Sequence, residues 1–192
     1  MSELHDMART GDAQLESLLD CGDISKSTSM CNSKDKHSRA PLHLAAFSGQ
    51  VEAINTLLKF KADVDALAMD GYTALHFACQ NNHLECVKKL LDAKANIDRC
   101  LFKSKKSPLH IACSKENEDV FTLLINKGAD TGLKTRQDQL PADLIASPEL
   151  KEKFNTLVDS KLKGKRALVD LQELQAKDKQ VKVVSDTTDS SN

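Results

Sequence analysis

Tryptophan is absent from this 192-residue chain, tyrosine occurs once and phenylalanine six times. So few rings cannot build the stacking platforms that grip single-stranded nucleic acid. Four prolines and seven glycines are too few for a collagen-like chain or a Pro/Gly-rich linker. Neither sign of charge prevails: 27 basic residues face 28 acidic ones, a formal net charge of −1. The whole chain therefore has no electrostatic case for nucleic acid or an anionic membrane. No apolar run approaches the length of a membrane-spanning helix, and Met1–Thr10 carries charges where a secretory signal needs an apolar stretch. A soluble, intracellular protein is expected, of one or at most two domains. Its six cysteines (21, 31, 79, 86, 100 and 113) are then expected as reduced thiols.

What the sequence does have is self-similarity. A-P-L-H-L-A-A occupies 40–46, T-A-L-H-F-A-C 73–79 and S-P-L-H-I-A-C 107–113, with a weaker copy, L-P-A-D-L-I-A, at 140–146. The second residues fall at 41, 74, 108 and 141, giving spacings of 33, 34 and 33. Each of the first three motifs is followed by a second amphipathic stretch. Val51, Ile54, Leu57 and Leu58 recur as Leu84, Val87, Leu90 and Leu91, then as Val120, Leu123 and Leu124, all at helical spacing.

A unit of this length, with T-P-L-H-x-A-A, a turn, x-x-V-x-x-L-L and G-A-D, resembles the ankyrin repeat. The run K-D-K-H-S-R-A-P-L-H-L-A-A (34–46) and the opening A-R-T-G-D are similar to small stand-alone ankyrin-repeat proteins of eukaryotes. The resemblance implies an all-α solenoid of about five helix-turn-helix units with short projecting β-turns or hairpins. The expected units are about 1–24, 35–67, 68–100, 102–134 and 135–158, the first and last acting as caps. Aligning Gly11 with Gly49 leaves about five residues over, which places an inserted loop at 25–34, where the sequence is polar, Ser-rich and non-periodic. The repeat domain is expected over 1–160, and a basic, then disordered, tail over 161–192.

The motif residues have structural roles on this reading. Pro41 and Pro108 can open helices, because the first helical position has no hydrogen-bonded N–H to lose. Thr73 and Ser107 are N-cap residues; Ala40 is not, so its helix is expected to be less well capped. Leu42, Leu75 and Leu109 point into the core, and Ala45, Ala46, Ala78 and Ala112 allow close helix approach. His43, His76 and His110 share one phase. In H-F-A-C and H-I-A-C they form His/Cys pairs of the kind zinc uses. Helices stack about 8–10 Å apart, however, too far for two such pairs to share an ion. The resemblance instead implies that each histidine tethers neighbouring backbone, with Cys79 and Cys113 as small buried hydrophobes. Cys86 reads as packing too. Cys31, beside Lys34 and Lys36, is the expected exposed thiol, with a pKa lowered by those lysines.

No nucleophile elbow, phosphate-cradling loop or metalloprotease motif occurs. The chain therefore reads as a non-enzyme with no cofactor, no metal and no small-molecule substrate, and a monomer is expected. A solenoid recognises partners along an extended face. That face is expected at the turns 35–39, 68–72, 102–106 and 135–139 and at the free positions of the first helices, including Ser114. Its basic members are Lys36, Arg39, Lys103, Lys105, Lys106, Lys115 and Arg136, against Asp35, Asp70 and Asp138. Phe47, Met69 and Tyr72 are apolar anchors, with Gln80 and Asn81 beside them. The function expected is a protein-interaction adaptor or scaffold whose partner has an acidic segment. A stoichiometric regulator that occludes its partner is the alternative, with a thiol or zinc protein and a nucleic-acid binder behind it. The location expected is cytoplasmic, and nuclear as well if K-L-K-G-K-R (161–166) acts as an import signal. Leu168, Leu171 and Leu174 lie on one helical side of a stretch too short for a coiled coil.

Overall fold

A computed structural model of the chain describes residues 3–163. Its contacts divide the chain after Phe154, into Met1–Phe154 and Asn155–Asn192. Most of the tail, including 167–176, 184–192 and the end of the basic run, lies outside the described residues.

In the first unit the described α-helices are α1 (Glu3–Thr10), α2 (Leu15–Leu19), α3 (Ile24–Cys31), α4 (Pro41–Ser48), α5 (Val51–Lys59), α6 (Ala74–Gln80), α7 (Leu84–Asp92), α8 (Pro108–Ser114) and α9 (Glu118–Lys127). No strand occurs among the described residues. Residues 148–154 are helical and end the unit, with the Phe154 ring edge-on to Phe121 at 5.6 Å. Residues 155–163 are helical as well.

The start of each first helix follows from its cap. Thr73 and Ser107 are extended, and each hydroxyl accepts the N–H of the histidine three residues on. Ala40 has the same backbone but offers no side-chain acceptor, as its sequence implies. The first helices pack in a row, α1 on α4, α4 on α6 and α6 on α8; behind them α2 packs on α5, α5 on α7 and α7 on α9. Ala45, Ala78 and Ala112 sit fully buried where the row is tightest, since small side chains permit close approach. Leu42, Leu75 and Leu109 fill the space between the rows with Ile54, Leu57, Val87, Leu90, Val120 and Leu124, each at most 1% exposed. Truncating one of these leucines to alanine costs about 2–5 kcal/mol.

Two expectations need correction. The stretch 25–34 is mostly not a loop: α3 occupies Ile24–Cys31, nucleated by Asp23, whose carboxylate accepts the N–H groups of Ser25 and Lys26. The five surplus residues are taken up as helical turns, and the period resumes at Asn32. Its Oδ1 accepts the Asp63 N–H (2.8 Å), as Asp65 Oδ1 accepts from Asn96 (2.9 Å) and Asp98 Oδ1 from Asp130 (2.9 Å). The fifth unit, in turn, has no full first helix. Pro141–Leu144 is a single 3₁₀ turn against α8, with Asp143 accepting the Leu140 N–H at 2.9 Å where inner units use histidine.

Candidate functional site

Three histidines act as rungs between units, and a fourth keeps half of that pattern. His43 Nδ1 accepts the Ala40 N–H (3.0 Å), leaving Nε2–H to donate to the Ala66 carbonyl at 2.9 Å, with that of Tyr72 at 3.3 Å. His110 Nε2 pairs with the Gln139 carbonyl (3.3 Å). His5, which the motif search passed over, pairs with the Arg39 carbonyl (3.0 Å). The 38-residue shift that aligns Gly11 with Gly49 also aligns His5 with His43, and that was the signal for it. His76 keeps the inner half, Thr73 N–H to Nδ1 at 3.2 Å, but its Nε2 is buried without a hydrogen bond. Burial pushes its pKa down to about 4, opposed weakly by Lys106 and Arg99 backbone groups that do not reach hydrogen-bond geometry. Burial lowers His43 and His110 in the same direction. The lowered pKa values keep the rings of His43, His76 and His110 neutral near pH 7, where their nitrogens serve the scaffold.

The cysteines sort differently from the sequence expectation. Cys31 is fully buried, and burial pushes its thiol up to about 11. The lysines at 34 and 36 do not activate it, because α3 turns the side chain into the core. Burial likewise raises Cys86 to about 11, Cys113 to about 12, and Cys79 further. The exposed thiol is Cys21, whose Sγ lies 3.3 Å from the Ser27 hydroxyl; that contact holds its pKa below the usual value. Among the described residues no group of three or more His, Cys, Asp or Glu side chains is arranged to hold a metal.

The projecting turns are closed by short backbone bonds. Asp35 N–H donates to the Arg39 carbonyl (2.9 Å), Ala68 to Tyr72 (2.8 Å), Leu101 to Lys106 (3.0 Å) and Thr135 to Gln139 (3.0 Å). Each turn after the first is also tied to the one before it by a single backbone bond. Met69 N–H meets the His37 carbonyl (3.3 Å), Phe102 meets Asp70 (3.0 Å) and Arg136 meets Ser104 (3.0 Å). Four turns thus form one continuous edge rather than four independent loops.

Two large apolar side chains stand exposed on that edge, Met69 at 56% and Phe102 at 60%, and a third, Phe47 of α4, is 46% exposed. Tyr72 stacks on Phe77 with centroids 5.2 Å apart, and Phe77 takes the edges of Phe47 at 6.0 Å and His43 at 5.9 Å. Phe77 and Phe102 are members that the sequence reading omitted. Phe77 sits inside the motif, and Phe102 opens the lysine-rich turn 102–106. Gln80 and Asn81 are half-buried. Asn81 is occupied: its Nδ2 donates to the Phe47 carbonyl at 2.7 Å, shared with His83 Nε2 at 3.1 Å.

The basic character is weaker than composition suggests. Arg39 is bound to Asp35 (2.8 Å) and Lys103 to Asp70 (2.7 Å). Lys36, Lys105, Lys115 and Arg136 are exposed and Lys106 half-buried, and none has an ion pair among the described residues. Pro41, Pro108, Thr73, Leu42, Leu75 and Leu109 are all buried.

Comparison with known proteins matches residues 60–135 to ankyrin repeats (three copies) and residues 37–68 to an ankyrin repeat. Among curated proteins, protein phosphatase 1 regulatory subunit 27 of Homo sapiens and that of Mus musculus are each 35% identical over 113 residues. The match takes in 59% of this chain and 51% of each relative, so the chain spans about half the length of the curated relatives it matches.

Proposed function

We propose that this chain, which belongs to the ankyrin-repeat family, is a non-catalytic regulatory subunit that binds a protein partner on its turn edge and first helices. The observation that carries this is the exposed row of Phe47, Met69 and Phe102 beside the Tyr72–Phe77 stack. Large apolar side chains dominate interface energies, and here Met69 and Phe102 stand on turns already tied to one another, with Phe47 held on α4. Binding would therefore cost little ordering of the backbone. The buried, backbone-engaged histidines and high-pKa core thiols support a scaffold in preference to thiol or zinc chemistry.

The relatives' name supports the regulatory reading over a passive adaptor, and makes protein phosphatase 1 the first partner to try. Purified phosphatase and this chain, mixed with and without a Phe47→Ser/Phe102→Ser variant, test both levels. A regulatory subunit changes the dephosphorylation rate, and the variant does not. Binding with an unchanged rate leaves an adaptor. If the phosphatase does not bind, affinity purification with the wild type and the variant decides the general reading, and identical recovery of partners by both would overturn it.

A further inference from the structure

Among the described residues the ladder of turns has an unused end. At three successive joints, residues in one phase (Met69, Phe102 and Arg136) donate their backbone N–H to a carbonyl of the preceding turn. The equivalent residue of the first turn is Lys36, by the same 33-residue step, and its N–H has no hydrogen-bond partner among the described residues. Beside it opens a cleft of about 530 Å³, between His5 of α1 and the loop Ser33–Arg39. That volume falls in the range of sites that take a small ligand or a few residues of peptide.

The charge of this cleft is set by which groups are already used. Asp35, its one carboxylate, is turned inward with a side chain only 2% exposed. It accepts the His37 N–H, the Arg39 N–H (both 2.8 Å) and Arg39 Nε (2.9 Å). Burial alone would raise the Asp35 carboxyl, but these donors and the guanidinium charge outweigh it and hold it at about 2. Asp35 and Arg39 thus neutralise each other. Lys34 and Lys36 remain, both exposed, with Lys34 Nζ steadied on the Leu67 carbonyl at 3.1 Å.

We propose that the first turn is a docking site for an extended acidic segment of a partner protein, which adds to the ladder as one more turn would. A carbonyl of the segment accepts the Lys36 N–H, and its carboxylates face Lys34 and Lys36. Main-chain pairing at an open edge supplies affinity with little demand on sequence, while charge selects acidic over basic peptides. The inference does not depend on the partner proposed for the Phe47–Phe102 row.

The test titrates the ¹⁵N-labelled full chain with a ten-residue peptide of alternating Glu and Thr. Amide resonances of 34–39 shift, and exchange of the Lys36 amide slows at least tenfold at saturation. Added salt weakens the binding. Lys34→Glu/Lys36→Glu, at exposed positions, keeps the folded circular-dichroism spectrum and weakens binding at least tenfold; a Lys/Thr peptide produces no shifts. The Phe47→Ser/Phe102→Ser variant still binds the acidic peptide, so loss of the aromatic-face reading would not touch this one. The proposal is overturned if the shifts centre on Phe102–Lys106 or Thr135–Gln139, or if the charge reversals change nothing. It also fails if Lys36 exchange is unaltered, or if sodium glutamate at equal carboxylate concentration gives the same shifts.

Discussion

The ring of Phe102 lies flat against the backbone of Gly71, with three of its carbons 3.1 Å from where a Cβ on that glycine would stand. Gly71 has φ +84° and is buried, and the adjacent Asp70 carbonyl takes the Phe102 N–H. The joint between the second and third turns is therefore a ring on bare backbone. Gly71→Ala should cost about 1–2 kcal/mol from the left-handed backbone alone, with the displaced ring adding to it. Urea unfolding followed by circular dichroism measures the loss, and an unchanged midpoint would remove the joint as a structural feature.

Acid should loosen the stack through its histidines. The unfolded His76 takes a proton near 6.5 and the folded one only near 4, so between those values the unfolded state binds more protons. Stability is then full above pH 6.5 and falls as pH drops towards 4. The loss from His76 is on the order of 3 kcal/mol, and His43 and His110 shift in the same direction. Urea midpoints at several pH values should show this slope, and His76→Gln should flatten it. A slope of the opposite sign would mean that these rings are charged in the fold.

Thiol labelling offers a direct reading of α3. Cys21 should react first with iodoacetamide, being exposed and lowered in pKa. Cys31, Cys79 and Cys113 should stay protected until the chain unfolds. Mass spectrometry of partly labelled protein finds the modified residue, and early labelling of Cys31 would mean that α3 does not pack as described.

Ala40 occupies a cap position with the backbone of Ser107, φ −81° and ψ 163° against −84° and 168°. Ser107 Oγ lies 2.8 Å from His110 Nδ1 and faces its N–H. Ala40→Ser supplies the same hydroxyl to His43 and should stabilise the protein by roughly 0.5–1 kcal/mol, within the span of N-cap effects. A lowered melting temperature would count against the equivalence of the two caps.

The core was legible because it repeats: Leu42, Leu75 and Leu109 announce themselves by phase, and all three are buried. Helix α3 was not, since I-S-K-S-T-S-M-C has no apolar period and owes its start to Asp23. The burial of Cys31 is hidden with it, because a cysteine near two lysines in sequence need not be near them in space. The pairing of Lys103 with Asp70 spans 33 residues and becomes visible only once adjacent turns are placed in register. Phe77 and Phe102 could have been found by asking which apolar residues in the motif and turns the core does not need. That question follows from the fold, not from composition.

Asn32 restores, after the extra turns of α3, the same back-loop hydrogen bond that Asp65 and Asp98 make further along. The surplus length is thus confined to a single joint, and nothing downstream has to be re-keyed. A chain assembled in this way can be spliced between Leu19 and Asn32 while its row of turns keeps its spacing, so that joint is the natural place to attach a reporter or a tether.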